Sequence, residues 1–165
     1  MPDNEDKIAA LSIPYIETVP KKIIEDKNFY LTESVTDEQI NDLNKLRRLI
    51  NSGGDISQYY RQSARLDILL KKKQVLHLHL GGPGSDTLLY LIQYPQHVLF
   101  LCVDSHIHLE DTPPGKRFLI IGRKEAEASI KAETDQANAA KESTKAEIAN
   151  SVAKLMAQKR PPPSP

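Results

Sequence analysis

The chain has 165 residues, with 22 Lys and Arg against 22 Asp and Glu, 39% hydrophobic and 5% aromatic residues, and no Trp. That length suits one domain with appendages, and the zero net charge excludes the strong basic excess that drives non-specific nucleic-acid binding through counterion release. A single thiol, Cys102, excludes an internal disulfide framework and a Cys-rich zinc site, which points to a reducing compartment. No apolar run reaches the roughly 20 residues of a membrane span. The start Met1-Pro2-Asp3-Asn4-Glu5-Asp6 is acidic where a signal peptide would be basic. The expectation is a soluble cytoplasmic protein without membrane contact.

In residues 1–28, Pro14 and Pro20 interrupt short apolar pieces such as Tyr15-Ile16 and Ile23-Ile24. One strand is expected there, confined by proline to a sheet edge. Thr36-Asp37-Glu38-Gln39 then fits a capping box. Ile40, Leu43, Leu46, Leu49 and Ile50 recur at threes and fours behind it, and Gly53-Gly54 ends the predicted helix. A second helix is expected from about Asp55 to Leu70. Val75 to Leu80 alternates at period two, Gly81 to Ser85 is turn chemistry, Thr87 to Tyr94 is β-rich, and His97 to His108 forms a third strand after the turn at Pro95.

These elements predict an α+β class, with N-terminal helices over about 36–70 packed on a small antiparallel meander over about 75–109. Residues 1–122 would make the domain. Residues 123–160 hold ten alanines and few large apolar side chains, which predicts a solvated helical extension, and residues 161–165 a disordered Pro-rich tail.

Folding the strands symmetrically about Pro83, and about Pro95 and Gln96, sets Leu78 against Leu88, Tyr90 against Leu101 and Leu88 against Val103. The expected core face is Leu76, Leu78, Leu80, Leu88, Tyr90, Ile92, Leu99, Leu101 and Val103. The outer face would carry Leu91, Val98, Phe100 and Cys102 at one end and His77, His79, Thr87, Asp104, His106 and His108 at the other. Asp86 falls on the core side unless a bulge turns it outward, and His97 is expected at a solvated turn. Four of five histidines on one patch point to titration or ligation. One chemistry is acid–base cleavage of RNA, one imidazole deprotonating the 2′-hydroxyl and a second protonating the leaving oxygen. A second is metal ligation by the His-x-His strands with Asp104, and a third reading is a non-catalytic module docking a partner through its tail helix. The local basic groups Lys71, Lys72, Lys73, Lys116 and Arg117 are the candidate phosphate contacts. Gly81 to Ser85 is no P-loop, since no Lys-Ser/Thr pair follows.

Three stretches, His77-Leu78-His79-Leu80, Asp86-Thr87-Leu88-Leu89-Tyr90-Leu91-Ile92 and Val103-Asp104-Ser105-His106-Ile107-His108-Leu109, resemble the RelE superfamily of bacterial toxins, closest to its YafO and YafQ branches. The resemblance covers roughly residues 36–112. It implies a toxin of a type II toxin–antitoxin system, a ribosome-dependent endoribonuclease that cleaves mRNA without a cofactor and is held inactive by a cognate antitoxin. Residue by residue it implies His79, Asp86 and His106 as catalytic groups, with His77 a partial counterpart and His108 beside them. The chain differs from that family in its neutral charge, its Gly-rich turn before Asp86 and its long Ala-rich tail.

Overall fold

The computed structural model describes residues 8–60, 68–82, 84–110 and 120–159. In chain order the elements are β1 (Lys22–Glu25), α1 (Asp37–Ser52), a 3₁₀ turn (Ser57–Tyr59), α2 (Ile68–Lys73), β2 (Val75–His79), β3 (Leu88–Gln93), β4 (His97–Asp104), α3 (Ile107–Glu110) and α4 (Ile120–Gln158). The class is α+β. The sheet runs β1-β4-β3-β2 and is mixed rather than antiparallel, because β1 joins β4 in parallel while the other pairs form the expected meander. The added strand sits at the edge, as the flanking prolines require.

Helix α1 begins where the sequence says it must. The Thr36 hydroxyl accepts the Gln39 amide at 3.2 Å, and Gln39 Oε1 accepts the Thr36 amide at 2.9 Å, so two of the orphan donors at the helix start are satisfied. Asp37 and Glu38 place negative charge at the positive end of the helix dipole. Leu43, Leu46 and Ile50 project from one side and join Leu76, Leu78, Leu80, Leu89, Leu91, Val98, Phe100 and Val103 of the sheet in one buried cluster. Burial of that apolar surface is the main stabilising term, at about 25 cal/mol per Å².

The second predicted helix is mostly absent among the described residues. The Asp55 carboxylate accepts the Ser57 amide at 2.9 Å and the Ser57 hydroxyl at 3.1 Å, local bonds that compete with helix and also hold the Asp55 carboxyl below its ordinary value. A 3₁₀ turn follows and Tyr60 is extended; residues 61–67 lie outside the described residues, and α2 occupies only Ile68–Lys73.

Two further corrections concern the strands. The first hairpin is offset by one residue, so that His79 faces Leu88 and Leu78 faces Leu89. The second keeps the expected pairing near its turn, Leu91 against Phe100 and Ile92 against Leu99, but a bulge at Leu101 shifts the rest, pairing Tyr90 with Cys102 and Leu88 with Asp104. Leu91, Val98 and Phe100 therefore lie in the core that α1 covers, while Leu88, Tyr90, Ile92 and Leu99 share the histidine face. Every residue of β3 is buried, so both faces of the sheet are covered there. His97 is buried at 6% exposure rather than solvated, because β1 lies alongside and pairs Lys22 with it.

Buried polar groups on the N-terminal segment fasten it to the β3–β4 turn. Lys21 Nζ, with a fully buried side chain, donates to the carbonyls of Tyr94 at 2.7 Å and Pro95 at 3.1 Å and to Glu17 Oε1 at 2.9 Å, which uses all three of its protons. Gln93 takes the Glu17 amide at 2.8 Å and donates to the Tyr15 carbonyl at 2.8 Å.

The chain divides into two compact units after Glu127. In the first unit the opening turns of α4 are docked by Arg123, which donates to the Lys73 carbonyl at 2.7 Å, Gln74 Oε1 at 2.8 Å and Glu127 Oε1 at 3.0 Å. Those bonds hold Gln74 in the left-handed conformation, φ 57°, at the junction of α2 and β2. The second unit, from Ala128, is continuous helix to Gln158, with Ile148, Val152, Leu155 and Met156 exposed at spacings of four, seven and eight. Residues 161–165 lie outside the described residues. No helix among the described residues is long and apolar enough to cross a membrane.

Candidate active site

Alternation along β2 puts His77 and His79 on one face, with ring centroids 5.7 Å apart. The bulge in β4 brings Cys102 and Asp104 to that same face, and the chain then leaves the strand at Ser105. His106 and His108 are consequently not strand residues. His106 lies in the turn after β4 and His108 in α3, where the Ser105 hydroxyl accepts the Ile107 amide at 3.4 Å. The turn nevertheless returns both rings over the sheet. A row results: His106 to His79 at 5.9 Å, His79 to His77 at 5.7 Å, His77 to Tyr90 at 6.5 Å and Tyr90 to His108 at 4.9 Å.

The row is graded in exposure. His106 retains 28% of its side-chain surface, His77 is half-buried, and His79 and His108 are buried at 1% and 3%. The expected open patch is instead a recess whose outermost imidazole is His106. The His106 Nδ1 donates to Asp86 Oδ1, and Asp86 is itself exposed, not in the core, because the first hairpin is shifted by one residue. His79 Nδ1 donates to the Ser85 carbonyl at 3.0 Å, which in the neutral ring leaves the lone pair on Nε2.

The Gly-rich turn holding Ser85 is anchored to α1. The Gly81 amide donates to Asp42 Oδ2 at 2.7 Å, and Gln39 Nε2 donates to Thr87 Oγ1 at 3.0 Å. Thr87 thus turns toward α1 and away from the histidines. Gln39 closes the capping box with one amide atom and steadies the Gly-rich turn with the other.

A second cluster closes the far end of the row. The Tyr30 hydroxyl donates to Asp104 Oδ2 at 2.5 Å, so the His108 Nε2, 3.1 Å from the Tyr30 oxygen and 3.4 Å from Asp104 Oδ2, carries the proton that points at them. Burial works to raise the Asp104 carboxyl. The Tyr30 hydroxyl, the Ser105 amide at 2.8 Å and His108 outweigh it and hold the group below its ordinary value of 3.8. A carboxyl lowered in the folded state contributes stability that is fully present above 3.8 and is lost as pH falls through the folded value. Asp104→Asn is expected to cost about 1–3 kcal/mol at neutral pH, and the difference from the parent should shrink as melting is measured toward pH 2. A gap that stays constant with acid would show that Asp104 is not ionised in this bond.

Burial also pushes the Tyr30 and Tyr90 phenols up, so both remain donors, Tyr90 to the Ser105 carbonyl at 2.6 Å. Burial pushes the Cys102 thiol up to about 12, and its Sγ lies 3.7 Å from His108 Nε2. Cys102 is therefore an inert thiol. At pH 8 its alkylation is expected to be about a thousandfold slower in the folded chain than in denaturant, the ratio of thiolate fractions alone; equal rates would refute the burial.

The chain matches no family model, no curated protein and no solved structure.

Among the described residues no three of His, Cys, Asp and Glu are placed to hold a metal ion, so the His-x-His strands with Asp104 do not assemble as a metal centre. Lys71, Lys72 and Lys73 form the last turn of α2, with Lys72 and Lys73 beside a cavity at the far end of the histidine row; Lys116 and Arg117 lie outside the described residues. Sequence reasoning missed Tyr30, which lies in an irregular segment, and set Tyr90 on the sheet face that α1 covers, whereas it is buried on the histidine face. The Tyr90 error follows from the hairpin offset alone.

Proposed function

We propose that this protein is an endoribonuclease of the RelE-like toxin kind, cleaving mRNA by imidazole acid–base chemistry. The observation that carries the reading is the pair of rings His79 and His106, 5.9 Å apart, with Asp86 on the Nδ1 of the exposed one. An imidazole held by a carboxylate at one nitrogen offers the other to a substrate in a fixed orientation. His106 meets the strand and exchanges a proton with the reacting oxygens, while His79, tautomer set by Ser85 and buried beside it, is the second proton-transfer group and requires the recess to open as the strand binds. One imidazole takes the 2′-hydroxyl proton as that oxygen attacks the adjacent phosphorus. The bond to the 5′-oxygen breaks, the other imidazole protonates it, and the products are a 2′,3′-cyclic phosphate and a 5′-hydroxyl. Water and metal are not reactants in this step.

The ribosome and the mRNA are the proposed partners, with a cognate antitoxin restraining the activity in the cytoplasm. The test is incubation of the purified full chain with mRNA, with and without ribosomes, followed by analysis of the ends. Cyclic phosphate ends, absent from substrates methylated at the 2′-oxygen, are the expected result. Intact RNA under both conditions, or cleavage indifferent to methylation, would overturn the reading.

A further inference from the structure

A cavity of about 610 Å³ lies beyond the buried end of the histidine row, with Tyr30 and His108 in its wall. That volume falls within the roughly 300–1,000 Å³ typical of small-ligand sites. Its floor is apolar and formed by the sheet, with Val75, Ile92 and Leu101 contributed by three adjacent strands. Three strands at about 4.8 Å spacing span about 10 Å, enough to seat a flat ring.

The rim carries positive charge. Lys72 and Lys73 come from the last turn of α2 and Lys124 from the opening turns of α4. None of the three ammonium groups has a carboxylate or hydrogen-bond partner among the described residues. The two carboxylates in the wall are engaged elsewhere. Glu127 Oε1 takes Arg123 at 3.0 Å and the Tyr94 hydroxyl at 2.8 Å. Asp26 Oδ2 accepts the Asn28 amide at 2.9 Å, and its Oδ1 is buried against Gly122, where an added Cβ would overlap it. The Asp26 charge therefore faces the start of α4 and leaves the lysines uncompensated. Ammonium groups gathered at one opening repel one another, and an anion between them relieves that repulsion. Lysine binds phosphate as a point charge. A phosphate monoester, close to two negative charges at neutral pH, matches three ammonium groups better than a carboxylate with one. We infer that the cavity is a binding site for a small organic phosphate monoester, with a flat apolar ring on the sheet floor and the dianion held by Lys72, Lys73 and Lys124. The inference does not depend on the ribonuclease reading.

Phenyl phosphate carries both features, whereas phenol, benzoate and inorganic phosphate each lack one of them. The measurement is amide chemical-shift titration of the isotopically labelled full chain with each of the four. Shifts are expected at Tyr30, Leu101, Cys102 and Lys124, with phenyl phosphate bound at least tenfold more tightly than any of the other three. Lys72→Gln with Lys124→Gln alters two exposed side chains, so the fold should be retained. That double variant should weaken phenyl phosphate about tenfold and leave phenol unchanged. A 2′-O-methyl trinucleotide, whose phosphates are diesters, should fail to displace phenyl phosphate.

Inorganic phosphate binding as tightly as phenyl phosphate would reduce the site to an anion trap, and phenol binding as tightly would reduce it to an apolar hollow; either overturns the assignment. So does benzoate matching phenyl phosphate, a lysine double variant of unchanged affinity, or shifts confined to residues outside the cavity. Displacement by the trinucleotide would make the cavity part of the path of an RNA strand and overturn the small-ligand site, whether or not the chain cuts RNA.

Discussion

Replacing His106 with alanine is expected to lower the single-turnover rate of RNA cleavage by about 10²- to 10⁴-fold, the usual contribution of one positioned proton-transfer group. That loss corresponds to about 3–5 kcal/mol of transition-state stabilisation. The expectation is largest here because His106 is the outermost ring of the row and the one whose Nδ1 is already committed to Asp86. Asp86→Asn retains the shape and loses the charge, and should cost about tenfold by loosening the ring's orientation rather than by removing a reacting group. His79→Ala should approach the His106 effect. His77→Ala and His108→Ala should fall well short of it, since His77 stands behind His79 and His108 is held in the Tyr30–Asp104 cluster. His106→Ala changes a partly exposed turn residue, so its melting temperature should stay near the parent's and an activity loss cannot be ascribed to unfolding. Cleavage by His106→Ala at the parental rate would remove His106 from the chemistry.

The sequence exposes the parts of this site that depend on local rules and conceals those that depend on pairing. The capping box at Thr36 to Gln39 and the placement of His77 with His79 each follow from periods internal to one element, and both occur. The edge strand follows from proline's missing donor. Register is different, because it is set by the turn. Counting symmetrically about Pro83 misses the true pairing of His79 with Leu88 by one, and a slip of one moves a whole strand to the other face. In β3 and β4 the error could not be caught from within the sequence. Leu88 to Ile92 and Val98 to Val103 are apolar throughout, since the sheet is covered on both sides, and alternation carries no information there. The bulge at Leu101 has no signature in such a run. The spacing His106-x-His108 imitates a strand as His77-x-His79 does. The chain turns at Ser105 instead, and the two rings separate, one to Asp86 and the other to Asp104. The histidines still converge, because alternation in β2 keeps His77 with His79 and the turn after β4 returns His106 and His108 over the same face.

Gly53→Ala is the substitution expected to disturb this framework most. Gly53 ends α1 in the left-handed conformation, φ 75°, with its amide on the Ile50 carbonyl at 3.3 Å, and the Gly54 amide reaches back to Leu49 at 2.8 Å. A left-handed residue with a Cβ costs about 1–2 kcal/mol. Here the added carbon would also lie 2.7 Å from the Val19 carbonyl carbon and the Pro20 nitrogen, both backbone atoms that no rotamer change can move aside. Residues 19 and 20 lead directly to Lys21, whose amide bonds the Ile50 carbonyl at 3.1 Å and whose ammonium secures the turn between β3 and β4. Relieving the clash therefore strains the edge strand and that turn together, a distortion of about 1–3 kcal/mol more. The sum, about 2–5 kcal/mol, should appear as a drop in melting temperature of roughly 4 °C per kcal/mol. Two other glycines separate the causes. Gly82, φ 110°, would place its Cβ in open space, so Gly82→Ala should show backbone strain alone; at Gly84 the added Cβ also meets nothing within 4 Å and the φ lies outside the left-handed region, so Gly84→Ala should stay within about 0.5 kcal/mol of the parent. If Gly53→Ala melts with Gly84→Ala rather than below Gly82→Ala, then α1 does not end against the segment that feeds β1, and the anchoring of the sheet edge has to be sought elsewhere.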